Sequence, residues 1–191
     1  MPSSRPTLFC TIAVRDPQGR VTRRRRFRSR SFLQQWNRLI AAQVLWTTIT
    51  IKDVDNVDKS VTQATWNFRM NGGAADPSRG IVIGTGTTAV AIGDYKLEAL
   101  IPEGAGAGQM NYQACSVAMP VIAAPYCSFK VARVVTNNSG DTITVKELGV
   151  YAVMLVPGNP SGCVIRDVLG TPLDVLDGGS ISVDYTIRVQ A

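Results

Sequence analysis

Acid–base chemistry in this chain would fall to Asp94, Glu98, Glu103, Asp141, Glu147 and Asp167, and two of these brought close would form a glycoside-hydrolase-like pair. Their spacing selects no such pair. Glu147 stands apart because it lies between Val145 and Leu148, where one strand face should be apolar, and a buried carboxylate needs a cationic or backbone partner. Arg133 or Arg166 is the expected partner, in a structural polar network rather than a catalytic one. The chain contains no His, which removes the usual general base, the usual zinc ligand and every Ser-His or Cys-His nucleophile pair. Cys10, Cys115, Cys127 and Cys163 show no CxxC spacing, so no metal and no disulfide is expected; Cys115 and Cys127 are the pair most able to link. Gly84-Thr-Gly-Thr-Thr-Ala89 formally fits GxGxxA, with Glu103 placed as a ribose-binding acid, but dinucleotide binding needs a helix to begin there. The β-branched residues that follow point to a tight glycine loop beside a strand, and no cofactor is expected. Asn137-Asn-Ser139 fits the glycosylation acceptor pattern and reads as a turn.

The sharpest electrostatic feature is the run from Arg20 to Arg30, with seven arginines. Residues 1 to 40 carry a net charge of +9 and the other 151 carry −3. The leading reading is an arm that docks on an acidic neighbouring subunit through Arg23, Arg24, Arg25, Arg26, Arg28 and Arg30, anchored by Phe27, Phe32 and Trp36. The competing readings are phosphate neutralisation on nucleic acid, with steeply salt-dependent affinity, and a solvated charge run. If the segment is a strand, period two divides Arg23 and Arg25 from Arg24 and Arg26, so the two groups face different partners.

The elements that must position these residues are mostly strands. Thr7 to Val14 is rich in β-formers and ends in the turn Arg15-Asp-Pro-Gln-Gly-Arg20, which predicts a first strand or hairpin. Phe27, Phe32, Leu33, Trp36, Leu39, Ile40 and Val44 recur at spacings of three to five and predict one helix over about Ser31 to Leu45, with Ser29 or Ser31 as N-cap. Trp46 to Val54 alternates and reads as a strand. Beyond Gly80 the strand candidates are Ile81 to Ile83, Gln113 to Val121, Ser128 to Asn137, Thr142 to Leu155, Cys163 to Val168 and Ser180 to Val189. Turn signals separate them, such as Asn137-Asn-Ser-Gly140 and Asp177-Gly-Gly179. Short strands without alternating helices predict a mainly β fold: an antiparallel, jelly-roll-like β-sandwich spanning 31–191, preceded by a strand and basic arm over 1–30.

Composition agrees. In 191 residues, 45% are apolar and only 18% charged, and the mean hydropathy is +0.07. A chain of this kind folds, and its low charge leans towards a surface covered by other subunits. The opening residues lack the apolar stretch of a signal peptide, so synthesis in a reducing cytoplasm is expected. The uncharged stretch Gly104 to Phe129 holds too many Gly, Pro, Asn and Gln residues for a membrane helix, and no membrane contact is expected.

Several blocks, in this order, resemble a family of uncharacterised structural proteins encoded by tailed bacteriophages and uncultured viruses. They are Arg28-Ser-Arg-Ser-Phe32, Gly80-Ile-Val-Ile-Gly-Thr-Gly-Thr-Thr88, Asp94-Tyr-Lys-Leu97, Gly106-Ala-Gly-Gln-Met-Asn-Tyr112, Arg133-Val-Val-Thr-Asn-Asn-Ser-Gly140, Glu147-Leu-Gly-Val-Tyr151, Arg166-Asp-Val-Leu169 and Gly178-Gly-Ser-Ile-Ser-Val-Asp-Tyr-Thr-Ile-Arg188. The resemblance implies a virion component built on a β-sandwich: a non-enzymatic repeated subunit of the head surface, neck or tail. Its implied partners are copies of itself and other virion proteins. Contact of the Arg20 to Arg30 run with DNA is the alternative reading, and a glycan-binding tail component is the second alternative.

Overall fold

Alternation of apolar and polar residues becomes alternation of faces in β1 (Thr7–Arg15), where Leu8, Cys10, Ile12 and Val14 are buried and Phe9, Thr11 and Ala13 face outward. The chain then reverses through a turn in which the Asp16 carboxylate accepts the Gln18 and Arg20 N–H groups and Gly19 takes a positive φ of 79°. It returns as β2 (Val21–Ser29), whose edge away from β1 pairs with no other strand among the described residues. In this computed structural model, residues 6–45 and 47–190 are described.

The remaining elements are α1 (Gln34–Leu45), β3 (Ile49–Lys52), β4 (Asp58–Val61), β5 (Gly80–Gly84), β6 (Asn111–Tyr112), β7 (Ser116–Val117), β8 (Val121–Ala123), β9 (Tyr126–Thr136), β10 (Ile143–Val153), β11 (Ser161–Val175) and β12 (Ser180–Gln190). They form an antiparallel β-sandwich of unequal layers. The large sheet runs β2-β1-β12-β9-β6, with β7 and β8 also paired to β9, and the small sheet is β11-β10-β5. A separate ribbon joins β3 and β4. Between the layers lie Cys10, Ile12, Val131, Val135, Val183 and Tyr185 from the large sheet and Ile81, Ile83, Leu148, Val150 and Ile165 from the small one. Each such side chain contributes about 1.5 to 3 kcal/mol on burial.

Two expectations about boundaries are corrected. Residues 6–30 are not an arm attached to a sandwich: β1 lies between β2 and β12, so the first hairpin is part of the large sheet and the basic run is its edge strand. Residues 1–5 of the expected arm lie outside the described residues. The helix begins at Gln34 rather than near Ser31 because Phe32 forms a bridge with Ile165 and Leu33 donates its N–H to Val164 at 2.9 Å, which keeps the chain extended. The Ser29 and Ser31 hydroxyls are therefore not caps. Both donate to the buried Asp167 carboxylate.

Other differences are local. The expected strand from Gln113 to Val121 is split into β7 and β8, with Pro120, which has no N–H to donate, between them. The strand expected from Trp46 is realised over Ile49–Lys52, Trp46 itself lying outside the described residues. In β11 the residues from Leu169 to Pro172 bulge opposite Lys146, since Pro172 cannot serve the ladder.

Arg133 and Asp167 are two of the buried polar groups that pin the sheets together. Arg133 in β9 donates from Nε to Gln113 O (2.7 Å), from Nη1 to Arg79 O and Ile81 O (3.1 and 3.0 Å), and from Nη2 to Gly73 O and Asp76 O (2.8 and 2.7 Å). All five guanidinium donors are thus satisfied by backbone carbonyls, and the Tyr112 ring lies 4.8 Å away. Burial pushes the Arg133 guanidinium pKa down, yet guanidinium stays charged at any physiological pH. Asp167 in β11 is the second pin, accepting from Tyr185 in β12 (2.7 Å) as well as from Ser29 and Ser31.

Arg133→Met fills similar space but leaves five carbonyls without their donor. At about 1 to 3 kcal/mol for each buried group that water cannot reach, urea unfolding should show a loss of at least about 3 kcal/mol. A loss below about 1 kcal/mol would mean that these carbonyls have other donors.

Candidate functional site

The sequence placed Glu147, Arg133 and Arg166 in one polar network; the structure splits them. Glu147 is fully buried and pairs with Arg166, not Arg133, with Arg166 Nε donating to Glu147 Oε2 at 3.0 Å. Its carboxylate also accepts the N–H groups of Gly86, Glu98 and Ala99. Arg166 donates further to Asp94 (2.7 Å) and to Thr88 O (3.1 Å). Burial disfavours the Arg166 charge, but the hydrogen bonds to Asp94 and Glu147 outweigh it and raise its pKa above the ordinary value.

This network folds the segment from Thr85 to Ala99 back over the small sheet. No helix starts there, so the geometry for a pyrophosphate is missing. The glycine at position 86 is explained by close approach instead: a Cβ would collide with Glu147 Oε1 and the Glu98 side chain. A hollow of about 330 Å³ beside Arg166 is lined by Asp94 and Glu98, two of the dispersed acids of the sequence. Hydrogen bonds from Thr88 and Thr87 hold the Glu98 carboxyl below its usual range, the opposite of what a general acid requires. Asn137 of the glycosylation pattern is buried, its amide donating to Asp141 O and Val175 O.

The basic run divides by face, as period two predicts. Cross-strand partners share a face, so Arg23 and Arg25, opposite Val14 and Ile12, lie on the inner side. They reach past the core and donate to Pro172 O (3.3 Å) and Thr171 O (3.0 Å) in the β11 bulge. Arg24, Arg26 and Arg28, opposite Ala13, Thr11 and Phe9, lie on the outer face. Arg26 lies 5.1 Å from the centroid of the Phe9 ring and Arg188 of β12 lies 4.7 Å from the same centroid, and Arg188 is also 4.1 Å from the Tyr126 ring. A cation–aromatic row therefore crosses β2, β1, β12 and β9. Arg30 is exposed just beyond β2.

The three aromatic anchors face their own core rather than projecting from it. Phe27, Phe32 and Trp36 are partly buried and packed on the chain's own apolar cluster, with Phe32 and Trp36 rings 4.6 Å apart. Trp36 also lines an open apolar groove of about 300 Å³ with Ile40, Phe68, Met70, Val117 and Phe129.

This groove exists because the large sheet outreaches the small one. Val117 pairs with Val131, Ile122 with Cys127 and Val189 with Cys127, so all of them lie on the inner, apolar side of the sheet. Beyond the groove none of the described residues covers them: Val117 is 45%, Val189 46% and Ile122 83% exposed, and the adjoining Met119 is 83% exposed. Sequence reading missed this surface, as it missed Phe9, Arg188 and Tyr126, because each became a site only through strand register.

Fold and surfaces together define an antiparallel β-sandwich with an uncovered apolar end and a basic outer face. No protein-family model, no curated protein and no solved structure matches the chain. Among the described residues no cluster of His, Cys, Asp or Glu could hold a metal, and no helix is long and apolar enough to cross a membrane.

Glu147→Gln keeps the shape but leaves Arg166 facing an uncharged amide, and it should cost about 3 kcal/mol in urea unfolding; a change below about 1 kcal/mol would show that Asp94 alone compensates Arg166. All four thiols are free. Burial raises the pKa of Cys10, Cys115 and Cys163, whereas Cys127 is half-exposed on the uncovered face. A maleimide should therefore label Cys127 alone in dilute, unassembled protein and all four residues after unfolding. Labelling of Cys10 or Cys163 without unfolding would contradict the packing described.

Proposed function

We propose that this chain is a non-enzymatic structural subunit of a virion of the tailed-bacteriophage kind, working as a repeated unit at the head surface, neck or tail. The observation that carries the assembly part is the uncovered inner face of the large sheet. A sheet face built from Val117, Ile122, Cys127, Phe129 and Val189 belongs in a core, and exposed apolar patches of this kind mark contacts with other proteins. The occupant is a second copy of the chain. Its own face carries the same uncovered residues, so one contact removes both from water, at about 1.5 to 3 kcal/mol for each large side chain fully covered. The virion part is supported by the blocks of sequence that resemble phage structural proteins. The absence of His and the commitment of Glu147, Asp94 and Glu98 to loop hydrogen bonds support a scaffold rather than an enzyme.

The test is light scattering on the wild type and on Met119→Asp/Ile122→Asp. Both positions are exposed, so the variant should keep its thermal midpoint. The wild type should form a multimer and the double variant a monomer. A wild type that stays monomeric at high concentration, or a variant that assembles unchanged, would remove the basis for the reading.

A further inference from the structure

The outer face of the large sheet holds cations that the fold leaves without anions. Among the described residues no hydrogen bond or ion pair joins Arg24, Arg26, Arg28 or Arg188 to a carboxylate, while Arg23 and Arg25 are tied to carbonyls of the β11 bulge. The nearby acid on this face, Asp184, is matched by Lys130 at 3.2 Å. Arg24, Arg26 and Arg28 therefore form a straight row along an edge strand, about 6.8 Å between successive members. Open hollows flank the row, one of about 450 Å³ lined by Phe9, Arg26, Phe27, Arg28 and Arg188.

We propose that this face binds the phosphodiester backbone of nucleic acid, without sequence preference, through Arg24, Arg26, Arg28 and Arg188. Of the fourteen acids in the chain, all but Asp55 and Asp141 have carboxylate oxygens engaged by partners within the same chain. A second copy has too few free carboxylates to match four arginines. A linear row of guanidinium groups fits a linear polyanion better than scattered, already partnered carboxylates.

Arg26 and Arg188 are steadied by the Phe9 and Tyr126 rings, and a guanidinium held over a ring keeps its N–H edge free for a phosphate. The stacked row also offers planar surface to unpaired bases. None of these contacts reads a base edge, so binding is set by charge and position. This site is separate from the apolar face and does not depend on the assembly reading.

The experiment is fluorescence anisotropy with a labelled oligothymidylate and a labelled mixed-sequence duplex, across a salt series. Wild-type protein should bind at about 50 mM salt, with a log–log slope on the single strand of about −3 for four neutralised phosphates. Arg24→Ser/Arg26→Ser/Arg28→Ser should weaken binding at least tenfold and flatten that slope by about 2. Arg23→Ser/Arg25→Ser should change affinity less than twofold. Should the triple variant fail to fold, judged by its thermal midpoint, Arg26→Ser and Arg188→Ser singly serve the same purpose, each flattening the slope by about 0.7.

Equal loss in the inner and outer variants would reduce the effect to net charge and overturn the proposal. So would no binding by the wild type, or displacement by polyglutamate as effective as by oligothymidylate at equal charge, which would assign the face to an acidic protein. The Met119→Asp/Ile122→Asp protein should bind the oligonucleotide as the wild type does per chain, whatever its oligomeric state.

Discussion

A guanidinium enclosed in a β-sandwich is tolerated only if each of its five N–H donors meets an acceptor, and Arg133 satisfies that condition with carbonyls from three stretches of chain. The residue belongs to β9 of the large sheet, while Ile81 belongs to β5 of the small one, so the same side chain sets the distance between the layers. It also draws in the irregular segment from Gly73 to Arg79, which has no strand to hold it. Asp167 does the corresponding work near β2, joining β11 to Tyr185 and to the serines that end the basic strand. Without these pins the layers would be free to slide, because apolar packing alone is not directional.

The unequal size of the sheets follows from how the chain divides its strands. β6, β7 and β8 are short pieces that all pair with β9, so they widen the large sheet without adding to the small one. The helix α1 covers part of the surplus through Trp36 and Leu39 and stops short of Ile122 and Met119. On the opposite side of the same sheet, β2 is a charged edge of the sort that discourages strand addition. Its arginines therefore have two consequences: they protect an edge from unspecific pairing, and they charge a face.

Much of the architecture was legible in the sequence. The period-two pattern of β1 and β12, the turns at Asp16 to Gly19 and Asp177 to Gly179, and the single helix all express local rules, and the division of Arg23 and Arg25 from Arg24 and Arg26 needed only the side-chain period. The partner of Glu147 was narrowed to two arginines, and only the register of β10 against β11, which places Gly149 opposite Arg166 two residues along, decides between them. The role of the first hairpin was hidden because a dense charge run reads as a free docking arm, whereas here Arg23 and Arg25 find carbonyls on a bulge more than a hundred residues away. The uncovered apolar face had no local signal at all. Val117, Ile122 and Val189 are ordinary strand residues until pairing puts them on one side of a sheet that the other described residues leave exposed there.

The central claim is that the surplus inner face of the large sheet is where copies of this chain meet. Hydrogen–deuterium exchange compared between dilute and assembled protein addresses it directly. The account predicts slower exchange on assembly in Ser116 to Cys127 and along α1, with the Gly84 to Ala99 segment unchanged. Protection confined to the Gly84 to Ala99 segment, or to the Val21 to Ser29 strand, would contradict it.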